Sequence, residues 1–188
     1  MKLLVGISGA SGAIYAQRLL GALATAPDVD VACGFSTNGR AVWNHELGDA
    51  KVPCREIANN DFTSCFASGS ARWDAVVLVP CSAARLGRIA HGVSDDLLGR
   101  AADVAIKERR RLVLVLRETP LSLIHLQNMV TVVSAGAVIL PAMPSFYTRP
   151  GTVESVVDTV VARALDQLGL DIPLSPRWGG KDDAHDRR

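Results

Sequence analysis

The residues best suited to chemistry gather at four points where an apolar run gives way to small or polar groups. The first is Ser8-Gly9-Ala10-Ser11-Gly12, directly after Leu3 to Ile7. Backbone amides in such a turn, at the start of a helix, suit a phosphate, because the N–H groups converge and the helix dipole adds positive character. Ser8 and Ser11 add hydroxyls. The glycines lack GxGxxG spacing and no Walker lysine follows. The next apolar run ends in Phe35-Ser36-Thr37, with no acidic residue to grip a ribose. An NAD site is therefore disfavoured and a mononucleotide such as FMN fits better. A purely structural tight turn is the competing explanation.

The other three points are Ser36, Pro80-Cys81-Ser82 and Arg117-Glu118-Thr119-Pro120. Ser36 and Ser82 equally suit plain helix caps. An adjacent Arg and Glu at the mouth of a buried strand are costly unless paired or used, so Arg117-Glu118 points to a site, with a surface ion pair as the alternative. The four cysteines (Cys33, Cys54, Cys65 and Cys81) have no CxxC spacing and no His at ligand distance. They read as thiols in a reducing compartment, and no metal site is expected.

These points need elements to hold them. Leu3 to Ile7, Val29 to Phe35, Asp74 to Val79, Leu112 to Leu116 and Gly136 to Leu140 read as buried strands, the third stopped by Pro80. Helices are expected over Ala13 to Ala24, Arg40 to Leu47, Asp95 to Glu108, Pro120 to Ser134 and Val153 to Leu168. Residues 48 to 72 look irregular. Strand and helix alternate, which argues for a single-domain, doubly wound (Rossmann-like or flavodoxin-like) parallel α/β sheet with helices on both faces. The domain is expected over 1–180, with a disordered charged tail at 181–188.

Composition agrees. Of 188 residues 48% are hydrophobic and only 5% aromatic, the balance of a covered parallel sheet. The net charge of +1 offers no field for nucleic acid. The apolar run at Met1 to Val5 is too short for a signal sequence or a membrane span, so a cytoplasmic protein is expected. By residue type alone, several further groups read blandly. Lys107 sits in the charge run Lys107 to Arg111, Glu46 is a plain surface acid and Arg163 an exposed helix residue. Tyr147 is a core or rim aromatic, and His125 a structural or interface histidine.

Longer runs carry more. Gly6-Ile7-Ser8-Gly9-Ala10-Ser11-Gly12-Ala13-Ile14-Tyr15, Arg100 to Arg110, Arg117-Glu118-Thr119-Pro120-Leu121, Ile124 to Met129, Gly136 to Pro141 and Phe146-Tyr147-Thr148-Arg149-Pro150 together resemble the UbiX/Pad flavin prenyltransferases. That flavoprotein family also contains phosphopantothenoylcysteine decarboxylase-like proteins. The resemblance runs from Met1 to about Trp178. It implies a transferase that joins a dimethylallyl group, from dimethylallyl monophosphate, to reduced FMN. Bonds form at a flavin nitrogen and at a neighbouring ring carbon, giving prenylated FMN for a UbiD-type decarboxylase. It implies flavin contacts from Gly9, Ala10, Ser11, Gly12, Ser36, Ser82, Ala83, Ala84, Arg85 and Arg117. Lys107, Arg117, Tyr147 and Arg163 would grip the prenyl phosphate, with Trp178 closing over it. Glu118 would do acid–base work around phosphate departure, and Ser11 and Glu46 would relay or accept protons. A carboxylate among apolar walls and a flavin is expected to have a raised pKa. The family also implies a homo-oligomer, often a dodecamer. One departure stands out: Arg85 occupies a position where Ser or Thr is common. A decarboxylase acting directly with FMN, and a flavin carrier for a partner decarboxylase, are the alternatives.

Overall fold

The structure, a computed structural model, describes Met1–Gly179. The expected tail at 181–188 and residue 180 lie outside the described residues. Six strands form one sheet: β1 (Lys2–Ile7), β2 (Asp30–Phe35), β3 (Arg55–Glu56), β4 (Ala75–Cys81), β5 (Arg111–Leu116) and β6 (Val138–Pro141). Their order is β3-β2-β1-β4-β5-β6 and every pairing is parallel. Winding runs outward from β1 to β3, then returns to β4 on the other side of β1. The switch point therefore lies between the carboxyl ends of β1 and β4, where ligands bind in such sheets.

Alternating strand side chains feed two cores. Leu3, Val5, Ile7, Val77, Val79, Val113 and Val115 pack with α1 (Ala13–Leu23), Trp43 of α2 (Thr37–Leu47) and α6 (Val153–Leu168). Leu4, Val76, Leu78, Leu112 and Leu114 pack on the opposite face with α3 (Ala83–Ala90), α4 (Leu97–Lys107) and Val132 of α5 (Leu123–Ser134). A part-buried bidentate pair from Arg18 to Asp158, at 2.7 and 2.5 Å, ties α1 to α6.

Three boundaries differ from the sequence reading. Pro80 does not stop β4; the strand continues to Cys81 through a register shift after Leu78, the kind of irregularity that admits proline inside a sheet. The Pro80 carbonyl there accepts from both the N–H and the hydroxyl of Ser8. Residues 48 to 72 contain the short edge strand β3 and a 3₁₀ turn at Cys65–Ala67. Helix α5 begins at Leu123, because Ser122 caps it and His125 accepts the Ser122 N–H in return. That reciprocal cap gives His125 the structural part expected of it.

Helix α5 is unusual. It is apolar nearly all round, yet only Asn128 and Val132 are buried. Leu123, Ile124 and Val130 are each about two-thirds exposed. An apolar helix left uncovered marks an interaction surface.

Candidate functional site

At the switch point lies a cavity of about 450 Å³, inside the range of small-molecule sites. Ser8, Gly9, Ser36, Thr37, Asn38, Asn59, Ser82, Ala83, Ala84, Arg85, Arg88, Asp96 and Glu118 line it. Three helices begin on its wall. Ser36 caps α2 by accepting the Gly39 N–H at 3.0 Å, and Ser82 caps α3 by accepting the Arg85 N–H at 3.2 Å. Asp96 caps α4 through Gly99 at 2.8 Å. The two serines accept in these bonds, so each hydroxyl keeps its own proton to donate to a ligand. The first-turn amides of α2 and α3 face an anion with the positive ends of their helices. Close approach makes this cradle possible. A Cβ on Gly9 would stand 2.4 Å from Asn38 Cβ, and one on Gly39 would stand 2.2 Å from the Ile7 carbonyl oxygen.

The turn after β1 is used differently from the expectation that its amides hold phosphate. Gly12, at φ 110°, and Ala13 both donate to the Glu46 carboxylate, at 2.9 and 2.7 Å to Oε2. A side chain from α2 therefore occupies the anion site at the start of α1. Burial alone would push the Glu46 carboxyl up. Hydrogen bonds from the Ser11 hydroxyl and the Ala13 and Gly12 amides, with Arg117 nearby, hold it below the ordinary carboxylate range instead. The expectation of a raised pKa fails for Glu46 because those donors stabilise its charged form. Arg117 also acts on Tyr15, whose hydroxyl burial pushes up and the guanidinium pulls back. Ser11, Glu46, Tyr15 and Arg117 thus form one electrostatic cluster at the carboxyl edge of the sheet.

A second cavity, of about 520 Å³, lies against α6. Tyr147, Arg163 and Trp178 line it with Met143, Ser145 and Asp166. Tyr147 packs edge-on to Trp178 at 5.3 Å and donates its hydroxyl to the Pro176 carbonyl at 3.3 Å. Arg163 donates to Asp166 at 2.7 Å, and Arg177 shares that carboxylate.

The family model described as Flavoprotein matches residues 1–165. The flavin prenyltransferase UbiX of Methanocaldococcus jannaschii is 42% identical over 184 residues, which cover 95% of this chain and 99% of that one. The chain belongs to the UbiX-type flavin prenyltransferases of the flavoprotein family. Solved UbiX structures agree. A dodecameric FMN-dependent UbiX-like decarboxylase from Escherichia coli O157:H7 superposes with TM-score 0.92 at 42% identity, covering 96% of this chain and all of that one. AnUbiX in complex with FMN and dimethylallyl pyrophosphate gives 0.90 at 41% identity, with 95% and 97% covered.

The UbiX-type assignment sharpens what the single chain does and does not bring together. Gly9, Ser36, Ser82, Ala83, Ala84, Arg85 and Glu118 share the switch-point cavity. Ser11, Gly12, Glu46 and Arg117 form the adjoining cluster, with Ala10 inside the same turn. Tyr147, Arg163 and Trp178 meet one another, but their cavity shares no lining residue with the first. Lys107 stands apart from both. It ends α4 beside Gly69 and pairs with Glu108, just before β5 starts at Arg111. The six residues of β5, about 20 Å of strand, separate that end of the sheet from Arg117. Within one chain Lys107 and Arg117 therefore do not converge on one place. The Arg85 side chain pairs bidentately with Asp96, while Arg85 remains part of the cavity wall. Asn59 and Asp96 were not foreseen as part of the site. Asp96, directly before Leu97-Leu98, carried a readable N-cap signal.

Among the described residues no helix is long and apolar enough to cross a membrane, and no cluster of three or more metal-ligating side chains occurs.

Proposed function

We propose that this chain transfers a dimethylallyl group from dimethylallyl phosphate to reduced FMN, yielding prenylated FMN for a UbiD-type decarboxylase. The observation that carries the reading is the switch-point cavity, whose serine caps and helix starts suit a flavin phosphate and whose rim bears Glu118 beside the Arg117 cluster. Bound there, reduced FMN supplies the nucleophilic nitrogen and ring carbon. Gly9, Ser36, Ser82, Ala83 and Ala84 hold the phosphate end. Arg117 offers fixed positive charge to the departing phosphate, which needs donors where charge develops. Glu118 gives or takes the proton at that oxygen. Glu46, kept ionised by its donors, accepts a proton passed through the Ser11 hydroxyl and is no donor near neutral pH.

Tyr147, Arg163, Trp178 and Lys107 complete the phosphate grip only if copies of the chain assemble. Support comes from their separation within one chain, from the uncovered apolar face of α5, and from the dodecameric E. coli relative. The working unit is a homo-oligomer in this reading, and its place is the cytoplasm, where the four free thiols would stay reduced.

The test is release of inorganic phosphate from dimethylallyl phosphate, under anaerobic conditions, in step with consumption of reduced FMN. No phosphate release, combined with carbon dioxide release from an aromatic acid by this chain alone, would favour direct decarboxylation, the activity ascribed to the E. coli relative. Tight flavin binding with neither reaction would favour a carrier.

A further inference from the structure

The wall of the switch-point cavity carries a carboxylate, which is an odd neighbour for a phosphate. Asp96 lines the cavity with Arg85 and Asn59, and three elements meet through it. Arg85, only 6% exposed, donates through Nη1 to Asp96 Oδ1 at 2.7 Å and through Nη2 to Oδ2 at 2.5 Å. The Gly99 N–H donates to Oδ1 at 2.8 Å, capping α4. Asn59 donates to Oδ2 at 3.0 Å, while its own side-chain and main-chain oxygens accept from Leu98 and Leu97. Burial would raise the Asp96 carboxyl, but these donors hold it below its ordinary range, so it stays charged near neutral pH. Arg88, the other cation lining the cavity, pairs with Asp95 outside it, and Glu118 is the cavity's other acid.

An unneutralised Asp96 would repel a phosphate in the cavity, and the repulsion would act through a partly desolvated wall where screening is weak. A bidentate arginine is the group that cancels a carboxylate while fixing its geometry. We infer that Arg85 and Asp96 act as one positioning unit for the flavin phosphate: Asp96 caps α4 and braces the Asn59 loop, and Arg85 neutralises it so that the cavity stays attractive to a phosphate. The inference rests on the placement of FMN in this cavity.

Riboflavin lacks only the phosphate, so the ratio of its Kd to that of FMN isolates this effect from folding and ring contacts. Titration of the assembled, full-length protein with each flavin, followed by fluorescence, gives that ratio. Asp96→Asn keeps an oxygen to cap α4 and frees the Arg85 charge; the ratio is expected to rise about tenfold, the scale of one unscreened charge at a partly buried site. Arg85→Thr exposes the carboxylate, and the ratio is expected to fall about tenfold. The double variant Arg85→Thr/Asp96→Asn should return close to the unaltered value, and it decides the matter if Arg85→Thr does not fold. A ratio unchanged or lowered in Asp96→Asn, whether or not both flavins bind more weakly, would show a merely structural role and overturn the inference. An unaltered protein that binds riboflavin as tightly as FMN would instead overturn the placement of the phosphate on which the inference stands.

Discussion

Two carboxylates at the site differ in ways that separate their tasks. Glu46 receives three backbone and hydroxyl donors, whereas among the described residues Glu118 accepts from the neighbouring Thr119 N–H alone, at 3.1 Å. In the proposed reaction Glu118, lacking such a set of donors, is the carboxylate placed to serve the departing phosphate. Glu118→Gln should lower kcat on the order of a hundredfold with FMN affinity unchanged, as read by single-turnover kinetics and flavin titration. Glu46 has a structural share as well. Glu46→Ala should cost about 1 kcal/mol of stability, because Gly12 and Ala13 lose their acceptor, and thermal melting reads that loss. Glu46→Gln keeps an acceptor oxygen but no charge, so the melt should drop less than in Glu46→Ala while turnover falls. Equal turnover in Glu46→Gln and the unaltered protein would remove Glu46 from proton transfer. Sequence reasoning found Glu46 only through family resemblance, since a glutamate on a polar helix face looks like any surface acid until its partners are known, whereas Arg117-Glu118 stood out at the end of a buried strand.

The elements themselves were largely legible. Alternating apolar runs and caps located all five major strands and five helices, because buried parallel strands and capped helices leave local signals. The misses have physical causes. The proline in β4 reads as a stop unless the register shift is known, and β3 is too short and exposed to carry a pattern. The anion site at the start of α1 looked open because nothing local reveals that Glu46, 34 residues away, fills it. Nothing local revealed that the Arg85 side chain pairs with Asp96, eleven residues on. Caps built from acids also set a pH response. Asp96 and Glu46 have folded pKa values below their unfolded ones, about 4 for such carboxylates. The stability they contribute is fully present above that value and is lost as pH falls through the folded values. Urea midpoints measured from neutral pH down to about pH 3 should therefore fall, and Asp96→Asn should flatten that fall.

At the scale of the whole molecule, the proposed flavin cradle and the two proposed pieces of a phosphate grip lie apart within one chain. Lys107 lies a strand's length from Arg117, and Tyr147, Arg163 and Trp178 surround their own cavity. Assembly supplies the simplest way to join them. Ile124→Glu with Val130→Glu, on the uncovered face of α5, should lower the mass seen by light scattering and abolish turnover while the melt of the single chain persists. Mixed oligomers of Lys107→Ala and Glu118→Gln, each inactive alone, should regain activity, since some sites would carry both intact residues; no recovery would mean that each chain builds its own site. The central claim is tested most directly by the mass of the flavin itself. Reduced FMN and dimethylallyl phosphate, incubated anaerobically with the protein and extracted, should give a flavin heavier by one dimethylallyl unit, and none with Glu118→Gln on the same timescale. A flavin recovered at unchanged mass after exhaustive incubation would contradict the account.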